Sequence, residues 1–271
     1  MNLAIIGLGN MGLGILRGAL RAGLLRATDV AVAEPDEAKR RVAAELGTAV
    51  MERGPEVAAW LKARGLGQLL LAVKPQMLYA AVTGLEEGLP RGTVAISILA
   101  GTPIKRVQEA LGDGVPVVRA MPNLPAAIGQ GATALCRGPG TTEKDADFAR
   151  ELFRAIGPLV VDLEEGLMDA FTAIAGSGPA YFFYLAEAME NAAAAQGLTG
   201  DRGGAIVRQT LMGAAMMYAG SESAPAAMRA AVTSKGGTTA AAVGVLDQAV
   251  VMATLERAML AARDRGRDLG S

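Results

Sequence analysis

The sequence predicts an α/β chain: a doubly wound, mostly parallel sheet over residues 1–163, then an all-helical domain over 164–271. Three observations predict it. Short apolar strands alternate with helical patterns as far as Asp162. Those strands read apolar on both faces, as buried parallel strands do. Beyond Asp162 the β-branched runs give way to segments rich in Ala, Met and Leu. The length agrees, since 271 residues suit one large or two modest domains.

Taken in order, Leu3–Ile6 is the first strand and Gly12–Ala22 the helix behind it. Asp29–Ala33 is the second strand, and Pro35–Leu46 the next helix. Further strands are expected at Gln68–Val73, Thr93–Leu99 and Val115–Val118, with a helix at Pro103–Leu111. Ala132–Cys136 and Leu159–Asp162 are late strands flanking a helix at Glu143–Ile156. The second domain should carry helices at Leu167–Ala175, Pro179–Gln196, Asp201–Tyr218, Pro225–Ala231 and Thr239–Asp264. Gly176-Ser177-Gly178-Pro179 separates the first two, and Pro179 suits a first helical turn. Several of these helices are apolar nearly all round, which implies burial within the domain or against another subunit.

Composition excludes much chemistry. The chain has no histidine, so the commonest general base and metal ligand is missing. Its single cysteine, Cys136, allows no intrachain disulfide and no thiolate zinc cluster, and permits a reducing, cytoplasmic setting. The net charge of −1 gives no reason to expect nucleic acid as a partner. No uninterrupted apolar run is long enough to predict a membrane span.

Gly7-Leu8-Gly9-Asn10-Met11-Gly12 is a G-x-G-x-x-G run that leaves a strand and opens a helix. Gly7 permits a tight turn, Gly9 lets backbone approach a pyrophosphate, and Gly12 lets helix and strand pack closely. The helix N-terminus then offers free N–H groups to phosphates. Glu34 ends the second strand 22 residues after Gly12, close to the ~20 expected of an acid that binds a ribose hydroxyl. A carboxylate there tilts the cofactor expectation slightly toward NADH, although Lys39, Arg40 and Arg41 could still reach a 2′-phosphate.

Ala72-Val73-Lys74-Pro75 ends another strand, at the edge where open sheets bind ligands. Lys74 is either a cofactor-side residue or an exposed lysine at a helix start. Leu99-Ala100-Gly101 and Met121-Pro122-Asn123 end two more strands at that edge. Asn123 either offers its amide to a ligand or forms a turn with Pro122. In the helical domain, Thr233-Ser234-Lys235-Gly236-Gly237-Thr238-Thr239 precedes the last long helix. It reads as a carboxylate-binding nest or as an ordinary helix cap. Tyr181, Phe182, Phe183 and Tyr184 suit a core cluster or a subunit interface, with a substrate wall as the alternative.

These motifs, in this order, resemble the pyrroline-5-carboxylate reductase family over essentially the whole chain. The resemblance rests on GLGNMG, LAVKPQ, SILAG, RAMPNLPAAIGQG, AGSGPAYFFYLAEAM and TSKGGTT. It implies an N-terminal Rossmann domain, a helical dimerisation domain, and NAD(P)H-dependent reduction of 1-pyrroline-5-carboxylate to L-proline. It also implies a homodimer, with larger rings of dimers in many members. Ser234, Gly237, Thr238 and Thr239 would then hold the substrate carboxylate, with the Thr239 hydroxyl also contacting the ring nitrogen. Val73, Lys74, Pro75, Ala100, Met121 and Asn123 would join Gly7, Gly9, Asn10, Met11, Gly12 and Glu34 on the cofactor side. Thr239 and Lys74 are the candidate catalytic residues. Two departures stand out: Lys235 replaces a usual proline, and Glu34-Pro35 replaces an Asn-Arg type of pair. The rival expectations are a related cyclic-imine or β-hydroxyacid dehydrogenase, or a non-catalytic NAD(P)-binding sensor.

Overall fold

The computed structural model describes residues 1–85, 88–112 and 114–270. By internal contacts the chain forms two compact units, Met1–Ser177 with Ala262–Ser271, and Gly178–Ala261. The first unit thus runs beyond the expected boundary at Leu163 and regains the last residues of the chain.

The first unit is built on one eight-stranded sheet of order β3-β2-β1-β4-β5-β6-β7-β8. The strands are β1 (Asn2–Ile6), β2 (Val30–Ala33), β3 (Ala49–Met51), β4 (Gly67–Leu71), β5 (Val94–Ser97), β6 (Val117–Pro122), β7 (Ala132–Arg137) and β8 (Leu159–Asp162). All neighbours pair in parallel except β6 and β7. The chain order reverses between β1 and β4, which opens a crevice at the carboxyl ends of those strands.

Both faces of the sheet are covered. Leu3 and Ile5 of β1 pack with Leu70, Ile96, Leu152 and Phe153 on one side. Ala4 and Ile6 pack with Leu69, Leu71, Trp60 and Leu61 on the other. A buried leucine or isoleucine of this kind contributes about 1.5–3 kcal/mol, so these alternating residues fix the register of the central strands.

The first face carries α1 (Asn10–Arg21) and α6 (Glu143–Arg154). Gly18 of α1 lies against Ile156, leaving no room for a side chain. Helix α6 starts in a capping box, where Asp145 Oδ2 accepts from Thr142 N at 2.7 Å and Thr142 Oγ1 accepts from Asp145 N at 3.3 Å. On the rest of the unit lie α2 (Glu37–Glu45), α3 (Gly54–Arg64), α4 (Leu78–Val82) and α5 (Ile104–Leu111). Strand β3 and helices α3 and α4 are additions to the predicted elements. β3 has only three residues, too few for a readable alternation.

The expected helix at Leu167–Ala175 is composite. A 3₁₀ turn at Glu165–Leu167 leads into α7 (Met168–Phe171) and then a π-helical turn at Thr172–Gly176. The second unit holds α8 (Gly178–Ala195), α9 (Asp201–Ala219), α10 (Pro225–Ala231) and α11 (Thr238–Gln248), and it takes in the start of α12 (Val251–Gly270). The predicted single helix Thr239–Asp264 is therefore two helices, bent by 51° at a break where Val250 has φ +48°. Among the described residues no single helix is long and apolar enough to cross a membrane.

Candidate active site

The glycine-rich run makes the tight turn and the close helix packing that its spacing predicts. Gly7 turns the chain out of β1 at φ +95°, and its N–H donates to Ala33 O at 2.8 Å. A Cβ on Gly7 would meet Ala72 O at 2.7 Å, and one on Gly12 would meet Gly7 O at 2.7 Å. Both glycines therefore let α1 sit down on the loop and on the end of β4. Gly9 is different: the space where its Cβ would project is open. It caps α1 in an extended conformation, and the first turn holds no acidic residue and no capping side chain. The free N–H groups and positive end of α1 face that open space, which suits a dinucleotide pyrophosphate. Asn10 is exposed, and Met11 is half-buried against the core.

A cavity of about 550 Å³ lies in this crevice. It brings together Gly7, Gly9, Glu34, Val73 and Lys74 of the expected set, with Lys39 at its wall. Glu34 is 6% exposed. One carboxylate oxygen accepts from Leu8 N at 2.6 Å and the other from Asp36 N at 3.1 Å. The same side chain thus lines the cavity and clamps the glycine turn to the end of β2. The Arg40 guanidinium does not reach into the cavity; it donates to Glu34 O at 2.8 Å and Pro35 O at 2.6 Å. Glu52 and Arg53, which sequence reasoning missed, line the wall beyond β3. The readable signal was Gly54-Pro55, which opens α3 and so places its preceding residues at the sheet edge.

The other expected cofactor residues lie outside this cavity. Pro75 opens a 3₁₀ turn beside Lys74, which is exposed. Ala100 is exposed on a turn closed by Thr102 N to Leu99 O at 3.2 Å. Met121 is half-buried and packs against Gly176. Asn123 is buried, and both ends of its amide have internal partners: Nδ2 donates to Ala175 O at 3.1 Å, and Oδ1 accepts from Ala132 N at 2.9 Å. Cys136 is buried opposite Arg119 in the β6–β7 register. Burial, above all, pushes its thiol above the usual range, which leaves it a poor nucleophile. Among the described residues no cluster of side chains could hold a metal ion.

In the second unit, Gly237 N donates to Ser234 O at 3.0 Å, closing a turn in which Gly236 has φ +73°. Lys235 occupies the second position of that turn, where proline is favoured in turns of this kind. A Cβ on Gly237 would run into Ser234 Oγ. Gly237 is the N-cap of α11 and makes no side-chain cap, so the reading of the hydroxyls as helix caps is not realised. Because Gly237 N–H is engaged, the backbone donors left are at Thr238, Thr239 and Ala240, ahead of the first helical bond from Ala241 N to Gly237 O. Ser234 and Thr238 are exposed and Thr239 is half-exposed.

A 3-2-1-4-5-6 parallel run of strands with this loop at its switch point defines a protein of the dinucleotide-binding, doubly wound class, here joined to a helical domain. Residues 2–101 match the family described as NADP oxidoreductase, coenzyme F420-dependent, and residues 165–269 match pyrroline-5-carboxylate reductase dimerisation. The Haemophilus influenzae pyrroline-5-carboxylate reductase is 37% identical over 98% of this chain and 97% of its own. A Coxiella burnetii pyrroline-5-carboxylate reductase structure superposes with a TM-score of 0.89 at 30% identity, covering 100% of this chain and 98% of that one. A Plasmodium falciparum pyrroline carboxylate reductase with NADP bound gives 0.88 at 25% identity, with 100% and 98% covered. The chain belongs to the pyrroline-5-carboxylate reductase family.

Proposed function

We propose that the chain reduces 1-pyrroline-5-carboxylate to L-proline with NAD(P)H, and that its residues divide the work as follows. Gly7, Gly9 and the N-terminus of α1 hold the pyrophosphate, while Glu34 accepts from the adenosine ribose. Lys74 balances the charge of the bound dinucleotide from the end of β4. Bound nicotinamide supplies the hydride that the imine carbon needs. Ser234 Oγ and the N–H groups of Thr238 and Thr239 hold the substrate carboxylate. The Thr239 hydroxyl hydrogen-bonds the ring nitrogen and passes it a proton from water. The C=N bond then becomes C–N, with one hydride gained at carbon and one proton at nitrogen. No histidine is required, because the substrate's own nitrogen carries the proton.

The observation that carries this reading is the turn Ser234–Gly237 at the uncapped start of α11, which leaves donors and hydroxyls available together. Glu34 supports a modest preference for NADH, since a 2′-phosphate would meet its carboxylate. The enzyme acts as a homodimer, and dimers assembling into rings fit the family. We place it in the cytoplasm, where buried Cys136 stays reduced, with no nucleic-acid or membrane partner. The test is oxidation of NADH and of NADPH with 1-pyrroline-5-carboxylate, in wild type and in Thr239→Val. Wild type should turn over with both cofactors and modestly prefer NADH. The variant should lose on the order of 10²-fold in kcat/KM with cofactor binding intact. Wild type that binds cofactor without turnover would instead be a sensor. Unchanged turnover in the variant would remove Thr239 from the mechanism.

A further inference from the structure

Strand β6 treats the segment that follows β8 in an ordered way. Arg119, Met121 and Asn123 alternate along one face, as residues two apart on extended chain do. Arg119 Nη1 lies 3.2 Å from Glu165 Oε1, and its Nη2 lies 3.7 Å from Asp169 Oδ1. Met121 packs on Gly176, where a Cβ would come 3.1 Å from Met121 Cε. Asn123 Nδ2 then takes Ala175 O. Segment 165–176 is thus laid along β6, with its π-helical end at the carboxyl edge of the sheet.

The last contact answers a specific need. The turn Thr172–Gly176 is wound one residue wide, with Ser177 N donating to Thr172 O at 2.8 Å. In an ordinary helix the carbonyl of Ala175 would take the N–H four residues on, and that residue is Pro179, which has none. Asn123 supplies a donor from a different element. Its amide orientation is fixed by its partners, since the reverse would set Nδ2 against the N–H of Ala132. One side chain, 8% exposed, therefore ties the end of β6 to the π turn and to the start of β7. Turns of this type are frequent at functional sites, and this one stands at the edge where the sheet binds its ligand.

We infer that Asn123 is a positioning residue for the reductase reaction: it holds the π-helical turn Thr172–Gly176 at the catalytic edge of the sheet, and it is not a cofactor ligand. The inference rests on the reductase reading, which wild-type turnover tests separately. The decisive variant is Asn123→Asp. The ionised carboxylate keeps the bond from Ala132 N but faces Ala175 O with no proton to give. At neutral pH and above, kcat should fall about tenfold or more, because small misplacements near the reacting atoms are costly. The dissociation constant for NAD(P)H, read by fluorescence, should stay within about twofold of wild type. Burial beside a carbonyl raises the pKa of the introduced carboxyl. Its protonated form can donate to Ala175 O, so kcat should recover as pH falls while wild type shows no such gain. Should that variant not fold, Asn123→Ser is read by the same kcat-to-Kd split, with amide exchange of residues 172–177 followed by mass spectrometry. Loss of cofactor affinity with kcat intact would overturn the inference and return Asn123 to the cofactor side. Unchanged kcat in a folded variant, or the absence of acid recovery, would overturn it as well.

Discussion

Glu34 carries two duties in one carboxylate. Its oxygens accept backbone N–H groups from Leu8 and Asp36, and the side chain also lines the cavity at the switch point, proposed to take the cofactor. Glu34→Gln separates the duties. The amide has a single accepting oxygen, so one of the two N–H groups is left facing an NH₂. An unpaired buried donor costs about 1–3 kcal/mol, and the variant should melt below wild type when no cofactor is present. Its neutral side chain no longer repels a 2′-phosphate. The ratio of kcat/KM for NADPH to that for NADH should therefore rise, by about tenfold, given the few kcal/mol at stake between close charges near a surface. Steady-state kinetics with both cofactors checks this. A lower melting temperature with an unchanged ratio would leave Glu34 its structural duty alone.

At the scale of elements, the break between α11 and α12 is the feature with the plainest energetic content. Val250 is β-branched and sits at φ +48°, where a side chain costs about 1–2 kcal/mol. Val250→Gly removes that cost and adds about 0.5–1 kcal/mol of backbone entropy to the unfolded chain. The net gain is about 0–1.5 kcal/mol, so by calorimetry the variant should melt no lower than wild type and up to about 4 °C higher, since a kcal/mol is worth a few degrees at this chain length. A lower melting temperature would mean that the valine side chain is buried by a partner subunit. The break was not legible in the sequence, because neither glycine nor proline marks it and Ala, Val and Leu run through it. The glycine loop was legible for the opposite reason. Gly7 and Gly12 stand where the backbone tolerates no Cβ, and Gly9 stands where the space is open, so composition and geometry coincide. Asn123 lay between these cases. Its place at the sheet edge could be read, but its partners Ala175 and Ala132 are set by tertiary packing that no local pattern reports.

At the scale of the molecule, the helical unit of this chain lacks a core of its own. Phe182, Phe183 and Tyr184 on α8 are 66%, 63% and 77% exposed. Met216, Met217 and Tyr218 on α9 are 68%, 63% and 58% exposed, and Val245 of α11 is 65% exposed. Within Gly178–Ala261 only a few small or aliphatic residues, such as Ala193 and Val207, are buried. Lone exposed apolar side chains need no explanation, but apolar surface spread over three helices of one unit does. The match of residues 165–269 to a dimerisation family says what covers it: a second copy of the chain. Folding of such a unit is linked to association, so its stability must depend on protein concentration. Each tenfold rise in concentration adds about 1.4 kcal/mol of driving force for a dimer, which should raise the melting temperature by about 2–4 °C. Light scattering on the eluting peak should give at least twice the 27.6 kDa of one chain. A 27.6 kDa species with a melting temperature independent of concentration would show that the exposed helices close on themselves. Phe182→Glu with Phe183→Glu gives the converse measurement. If a second copy covers α8, the double substitution should remove the concentration dependence, and turnover with it, while the sheet unit still binds NAD(P)H.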